Sequence, residues 1–321
     1  MIVPDGCGQS ARAAWTGEAL LVAYDAIGER GANLALVGLD GRVRSDREIT
    51  PFGGGSNFGD IAWHPTARRA LSGDIGGFAW LDGEGRAVGR SSVLVSAPDV
   101  ALLDDGFVAV LVEDGRALVA RLGPDPSEPS WEDIGPPGVQ SAKLVVDASG
   151  RAIAIAIVAA DARTVSMLRF DGTVLAQSTF DRELPDVLAA LALDGGRILV
   201  GRRTDTIGEP VSEGYFLEEL SADGPRGVRL STAGSPWGMS LVQLGASPLI
   251  AYPWVDGERF AMEIAAVGPD LEHGDGAPVL RIEREGYPRG PRLVPTSNGF
   301  ALLYYVAREG ITLDVLECCA P

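Results

Sequence analysis

At 321 residues, with 46% hydrophobic and 22% charged residues, the chain is long enough for one large repeat domain or two ordinary ones and has the composition of a folded protein. Its 42 glycines and 21 prolines follow no Gly-X-Y period, which excludes collagen and demands frequent turns. The formal charge is −17 and Lys143 is the single lysine; Arg202 with Arg203 is the nearest approach to a basic cluster, so nucleic acid is not an expected partner.

From the N-terminus, residues 1–10 show neither a basic n-region nor an apolar h-region, so no signal peptide is read. The expected location is the cytoplasm, or outside it after removal of a leader. Turn residues followed by short apolar runs then recur. Gly17 precedes Ala19 to Tyr24, Thr66 precedes Ala67 to Leu71, Asp105-Gly106 precedes Phe107 to Val112, and Ser149-Gly150 precedes Ala152 to Val158. Gly195-Gly196 precedes Ile198 to Val200, Ala246-Ser247 precedes Leu249 to Tyr252, and Asn298-Gly299 precedes Phe300 to Val306. The interval averages 47 residues. A second landmark, an apolar run ending in a turn, also comes seven times: at Leu39-Asp40-Gly41, Leu81-Asp82-Gly83, Leu122-Gly123-Pro124, Phe170-Asp171-Gly172, Leu220, Val267-Gly268-Pro269 and Leu316.

Further strand-like stretches follow that landmark, such as Val43 to Thr50, Val88 to Ser96, Val174 to Phe180 and Val279 to Ile282. Each unit therefore reads as about four short antiparallel strands. Repeats of 40 to 50 residues with four strands are the signature of an all-β fold, the β-propeller, whose radial packing buries faces that one small sheet leaves exposed. The expected organisation is a single domain of seven blades, over 10–56, 57–97, 98–138, 139–182, 183–234, 235–286, and 287–321 with 1–9. The last unit is short of a strand, so the N-terminal segment is expected to close the ring, with Ile2 and Val3 beside Leu313 to Leu316. Cys7 could then form a disulfide with Cys318 or Cys319; three inert thiols is the alternative. Two segments depart from the pattern. Leu184, Val187, Leu188 and Leu191 have helical spacing, although Ala189 to Leu193 is read as strand, and the proline-rich run from Gly123 to Gly138 reads as a loop.

Chemical signatures are scarce. The longest apolar run, Ala152 to Ala160, is too short to span a bilayer. One lysine preceded by Ala142 excludes a Walker phosphate loop, and Gly53-Gly54-Gly55 reads as a flexible connection. Gly54-Gly55-Ser56-Asn57-Phe58 lacks the final glycine of a nucleophile elbow. No metal-ligand spacing or cofactor motif is found, so no metal and no cofactor are expected. His64, in Trp63-His64-Pro65, and His273 read as surface or turn residues, and the landmark Asp-Gly acids as hairpin formers rather than a carboxylate ring.

Trp15-Thr16-Gly17 with Leu20 to Asp25 and Leu36 to Gly41 resembles loosely defined propeller repeats of bacterial proteins. The frames of WD40, kelch, Asp-box and quinoprotein repeats are absent. In propellers, ligands engage the loops between blades and those between each blade's second and third strands. That resemblance selects Phe52, Asn57, Phe58, Trp237, Tyr287 and Arg289 on the first kind of loop, and Asp25, Arg30, Arg202, Arg203, Trp254, Asp256 and Arg259 on the second. Aromatic residues with arginines compose binding hot spots; Trp237 and Trp254 could equally pack between blades as core. The expectation is a non-catalytic, monomeric protein presenting this loop face to a protein or glycan. The alternative is a hydrolase or lyase using acids and His64 or His273 in a central funnel.

Overall fold

A computed structural model describes residues 7–26, 32–50, 58–74, 77–92, 98–181, 183–184, 186–203, 215–220, 226–231, 238–245, 247–268, 271, 280–297, 299–307 and 309–317. These residues are dominated by strand, and the helical feature among them is one 3-10 turn at Asp194–Gly196. Consecutive strands pair with their neighbours in antiparallel groups. The first group is β1 (Cys7–Trp15), β2 (Leu20–Ala26), β3 (Ala32–Val37) and β4 (Val43–Thr50); the second is β5 (Phe58–His64), β6 (Arg69–Asp74), β7 (Gly77–Asp82) and β8 (Ala87–Ser92). The third is β9 (Asp99–Leu103), β10 (Gly106–Glu113), β11 (Arg116–Leu122) and β12 (Trp131–Ile134). The fourth is β13 (Ser141–Val146), β14 (Ala152–Val158), β15 (Thr164–Leu168) and β16 (Val174–Thr179). The fifth is β17 (Asp186–Ala192), β18 (Ile198–Arg203), β19 (Tyr215–Leu220) and β20 (Arg226–Ser231). One parallel pairing, Val146 opposite Leu191, joins these two groups into an eight-stranded sheet. The sixth is β21 (Ser240–Leu244), β22 (Ser247–Asp256), β23 (Arg259–Ala266) and β24 (Leu280–Arg284). The last, β25 (Pro288–Thr296), β26 (Gly299–Val306) and β27 (Gly310–Glu317), has three strands among the described residues.

Two local expectations change. Residues 7–9, expected with the last unit, extend β1, where Cys7 lies opposite Ala26. Ile2, Val3, Cys318 and Cys319 lie outside the described residues. The run from Gly123 to Gly138 is not loop throughout. It holds β12, which pairs with β11 on one side only, the edge position in which nearby prolines such as Pro129 are tolerated. The segment with helical spacing at Leu184 to Leu191 is strand, as read for Ala189 to Leu193, because β17 is covered on both faces. Val187 and Ala190 enter one cluster, Ala189 and Leu191 another.

Contacts divide the chain into two compact units. The first comprises Met1–Ala109, Ala120–Trp131 and Gly286–Pro321. In it, Ala11, Ala13, Leu20, Val22 and Val37 pack against Val294, Ala301, Leu303 and Ile311. The opposite face of the same sheet, with Ala14, Leu21, Ala23 and Leu34, packs against Ile61, Trp63, Ala70, Ala79 and Leu81. Burial on both faces explains why Leu20 to Tyr24 is continuously apolar rather than alternating. A part-buried ion pair adds a polar tie, since an Arg292 terminal nitrogen donates to Asp60 Oδ1 at 2.9 Å and lies 2.9 Å from Oδ2.

The second unit comprises Val110–Val119 and Glu132–Glu285. Its clusters form around Ala154, Ala156, Val158, Val165 and Val200, and around Leu199, Leu217, Ile250 and Tyr252. The landmark acids close hairpins, as expected. Asp40 and Asp82 in the first unit, and Asp171 in the second, each accept the backbone N–H two residues on, at 3.1, 2.9 and 2.9 Å.

Candidate functional site

In the second unit, three predicted residues come together on the β22–β23 hairpin. Asp256 and Arg259 face each other in register across Gly257-Glu258, and both are exposed. Gly257 takes φ +61°, the sign that the first residue of a tight II′ turn requires. Trp254, two residues earlier, is half-buried, and the Arg281 guanidinium lies over its ring at 4.2 Å.

Arg281 is held from below. Its Nε donates to Glu263 Oε1 at 2.7 Å and a terminal nitrogen pairs with the same oxygen. Glu263 is only 3% exposed and lies directly opposite Tyr252, whose ring is fully buried and 6.3 Å from that of Tyr215. Burial, and then the Glu263 carboxylate, push the Tyr252 phenol well above its usual range. A buried carboxylate thus fixes a surface arginine, which in turn braces an indole beside an exposed Asp and Arg. This is a rigid aromatic platform with both signs of charge at its rim.

Arg202 and Arg203 belong to β18 rather than to a loop. Arg202 has 0% exposure. It donates to Glu218 Oε2 at 2.8 Å and to the carbonyl oxygens of Ala162, at 2.6 Å, and Leu184, and sits 5.7 Å from the Phe180 ring centroid. Its guanidinium therefore faces protein, not a ligand. Arg203 is half-buried, with Nε donating to Asp186 Oδ2 at 2.6 Å. The clue in the sequence was Glu218-Glu219 inside the apolar strand Tyr215–Leu220. Two buried acids on opposite faces each call for a cation, and Arg202 and Arg197 supply them.

In the first unit, Tyr287 and Arg289 are half-buried, with the guanidinium 5.5 Å from the ring centroid. Phe58 opens β5 opposite Asp74. His64 ends β5, where its Nδ1 accepts the Ala67 backbone N–H at 3.2 Å and its ring meets the Phe107 ring edgewise at 6.0 Å. It is a buried turn-capping residue. Phe52, Asn57, Arg30, Trp237 and His273 lie outside the described residues, as do the side chains of Cys7, Asp25 and Phe58. Among the described residues, no group of three or more His, Cys, Asp or Glu is placed to hold a metal ion. No helix among them is long and apolar enough to cross a membrane.

No family model matches the sequence, and no curated protein matches it. Solved structures do resemble it in fold. Kuenenia stuttgartiensis hydrazine synthase is 12% identical, with 97% of each chain covered and a TM-score of 0.66. The WD40 β-propeller domain of Doa1 is 11% identical over 97% of this chain and 94% of that one, with a TM-score of 0.57. The Dos1 propeller is 9% identical over 97% and 82%, with a TM-score of 0.56. At these identities the likeness concerns fold alone, and the chain has the β-propeller fold.

Proposed function

We propose that this protein is a non-catalytic binding propeller and that the β22–β23 hairpin is its contact surface for a protein partner. The observation that carries this reading is Trp254 braced by Arg281 beside exposed Asp256 and Arg259. A preorganised aromatic flanked by charges loses little conformational freedom on binding, and Trp and Arg dominate interface hot spots. A protein is favoured over a glycan because Arg281 already covers one face of the indole, the surface on which a sugar ring would stack. The acid/His alternative draws no support from His64, whose acceptor nitrogen is committed to a backbone N–H.

The test is affinity capture from a native lysate with wild type and with Trp254→Ala/Arg259→Ala, mass spectrometry of what co-purifies, and circular dichroism to confirm folding. A stoichiometric protein captured by wild type and lost in the folded variant is the expected result. Equal capture by both refutes the assignment, and glycan-array binding without a protein partner replaces it.

A further inference from the structure

Among the described residues, the last strand of each antiparallel group lies at an edge, and in most of them that edge is charged. β4 carries Arg44 and Asp46; β8 carries Arg90; β12 carries Glu132 and Asp133. β20 carries Arg226; β24 carries Arg281, Glu283 and Arg284; β27 carries Asp314. Charges on an edge discourage pairing with other chains. β16, Val-Leu-Ala-Gln-Ser-Thr over Val174–Thr179, carries none. Among the described residues it pairs with β15 alone. Its first two residues, Val174 and Leu175, are 56% and 40% exposed, the one adjacent pair of exposed large hydrophobics among the described residues.

We propose that β16 is a strand-addition site for an extended peptide of uncharged, β-branched centre and basic ends. Uncovered backbone groups along β16 supply ladder hydrogen bonds, and Val174 and Leu175 supply apolar contact. The charge of the occupant follows from the flanks. Asp171 and Asp181, both exposed, bracket the strand, and the Thr173 backbone N–H, with Arg169 nearby, holds the Asp171 carboxyl below the usual range, so it is ionised at neutral pH. A second copy of this chain fits poorly. Antiparallel β16 pairing would bring Asp171 of one copy toward Asp181 of the other, between molecules that each carry −17. Basic ends on a peptide meet those carboxylates instead. This surface is independent of the β22–β23 hairpin.

The experiment uses the full chain and a fluorescein-labelled peptide, Arg-Thr-Val-Thr-Val-Thr-Val-Arg, read by fluorescence anisotropy. Saturable binding is expected, weaker with added salt and weakened about tenfold or more by Leu175→Lys, with Val88→Lys on β8 without effect. A peptide N-methylated at alternate residues cannot donate to the ladder and is expected not to bind, a readout that does not depend on any variant folding. Asp171→Asn/Asp181→Asn is expected to weaken the Arg-ended peptide but not an uncharged-ended one. Binding indifferent to N-methylation and to Leu175→Lys overturns the proposal, as does no binding at millimolar peptide. Dimerisation in sedimentation velocity that Leu175→Lys abolishes overturns the choice of occupant.

Discussion

Replacing Arg292 by alanine strips the counter-charge from Asp60, a carboxylate only 3% exposed that a guanidinium 232 residues away in sequence holds at 2.9 Å. Breaking a buried pair costs about 3–5 kcal/mol when the surviving charge cannot reach water. The two halves of this pair are unequal, because the Arg292 side chain is 30% exposed and can turn outward. Arg292→Ala is therefore expected to cost about 3 kcal/mol, and Asp60→Ala about 1–2 kcal/mol. A melting entropy of roughly 2.1 cal/mol/K per residue gives about 0.7 kcal/mol/K for this chain, so the shifts are about 4 °C and about 2 °C by differential scanning calorimetry. Asp60→Ala/Arg292→Ala, which removes both charges of the pair, is expected to melt above Arg292→Ala alone. If Asp60→Ala proves equally or more damaging, or the double variant melts lowest, the asymmetry argument fails.

Arg202→Ala removes the guanidinium from the buried Glu218 carboxylate and is expected to cost about 3–5 kcal/mol in urea unfolding, partly restored by Glu218→Gln; a loss under about 1 kcal/mol contradicts the buried placement. Tyr252 has its phenol raised in the fold, so the unfolded chain releases that proton first. Its contribution is whole below pH about 10 and fades as pH climbs toward the folded value. In alkaline titration, Tyr252→Phe is expected to remove one phenol from the absorbance that appears only with unfolding; removal of an early-titrating phenol instead contradicts it. Gly106→Ala places a methyl on the fixed Leu122 carbonyl oxygen, whereas Gly201→Ala meets the movable Met239 sulfur. Expected losses of thermal stability are about 2 kcal/mol and under about 1 kcal/mol, and equal losses contradict the distinction.

Much of the fold was legible because its signals are local. β4 and β14 coincide with the expected Val43 to Thr50 and Ala152 to Val158, and the turn acids Asp40, Asp82 and Asp171 do what Asp-Gly pairs do in hairpins. β14 is instructive in detail. Its Ala-Ile alternation suggests one wet face, yet Ile155 and Ile157 are buried along with Ala154 and Ala156, and only Ile153 is exposed. Small residues fill one side and large ones the other, so the alternation records size rather than solvent. β12 escaped notice because four residues between prolines carry almost no periodic signal. At the site, the propeller resemblance selects Trp254, Asp256 and Arg259 as loop residues, and they lie in β22 and β23, flanking the turn. The burial of Arg202 was not legible, because Phe180, Leu184, Ala162 and Glu218 converge on it from separate segments. The likeness to a WD40 propeller was equally invisible, since at 11% identity the backbone is shared without the Gly-His and Trp-Asp frame.

The first unit draws Met1–Ala109 and Gly286–Pro321 into one core, with Ala11, Val22 and Val37 covered by Val294, Leu303 and Ile311. On the ribosome those two pieces emerge about 180 residues apart, on the order of 10–40 s at typical elongation rates. For that interval the nascent chain holds an apolar sheet face whose partner has not been synthesised, long enough to engage chaperones. Emergence of Gly286–Pro321, rather than the appearance of the first strands, is then the moment at which this half of the molecule can acquire its final stability.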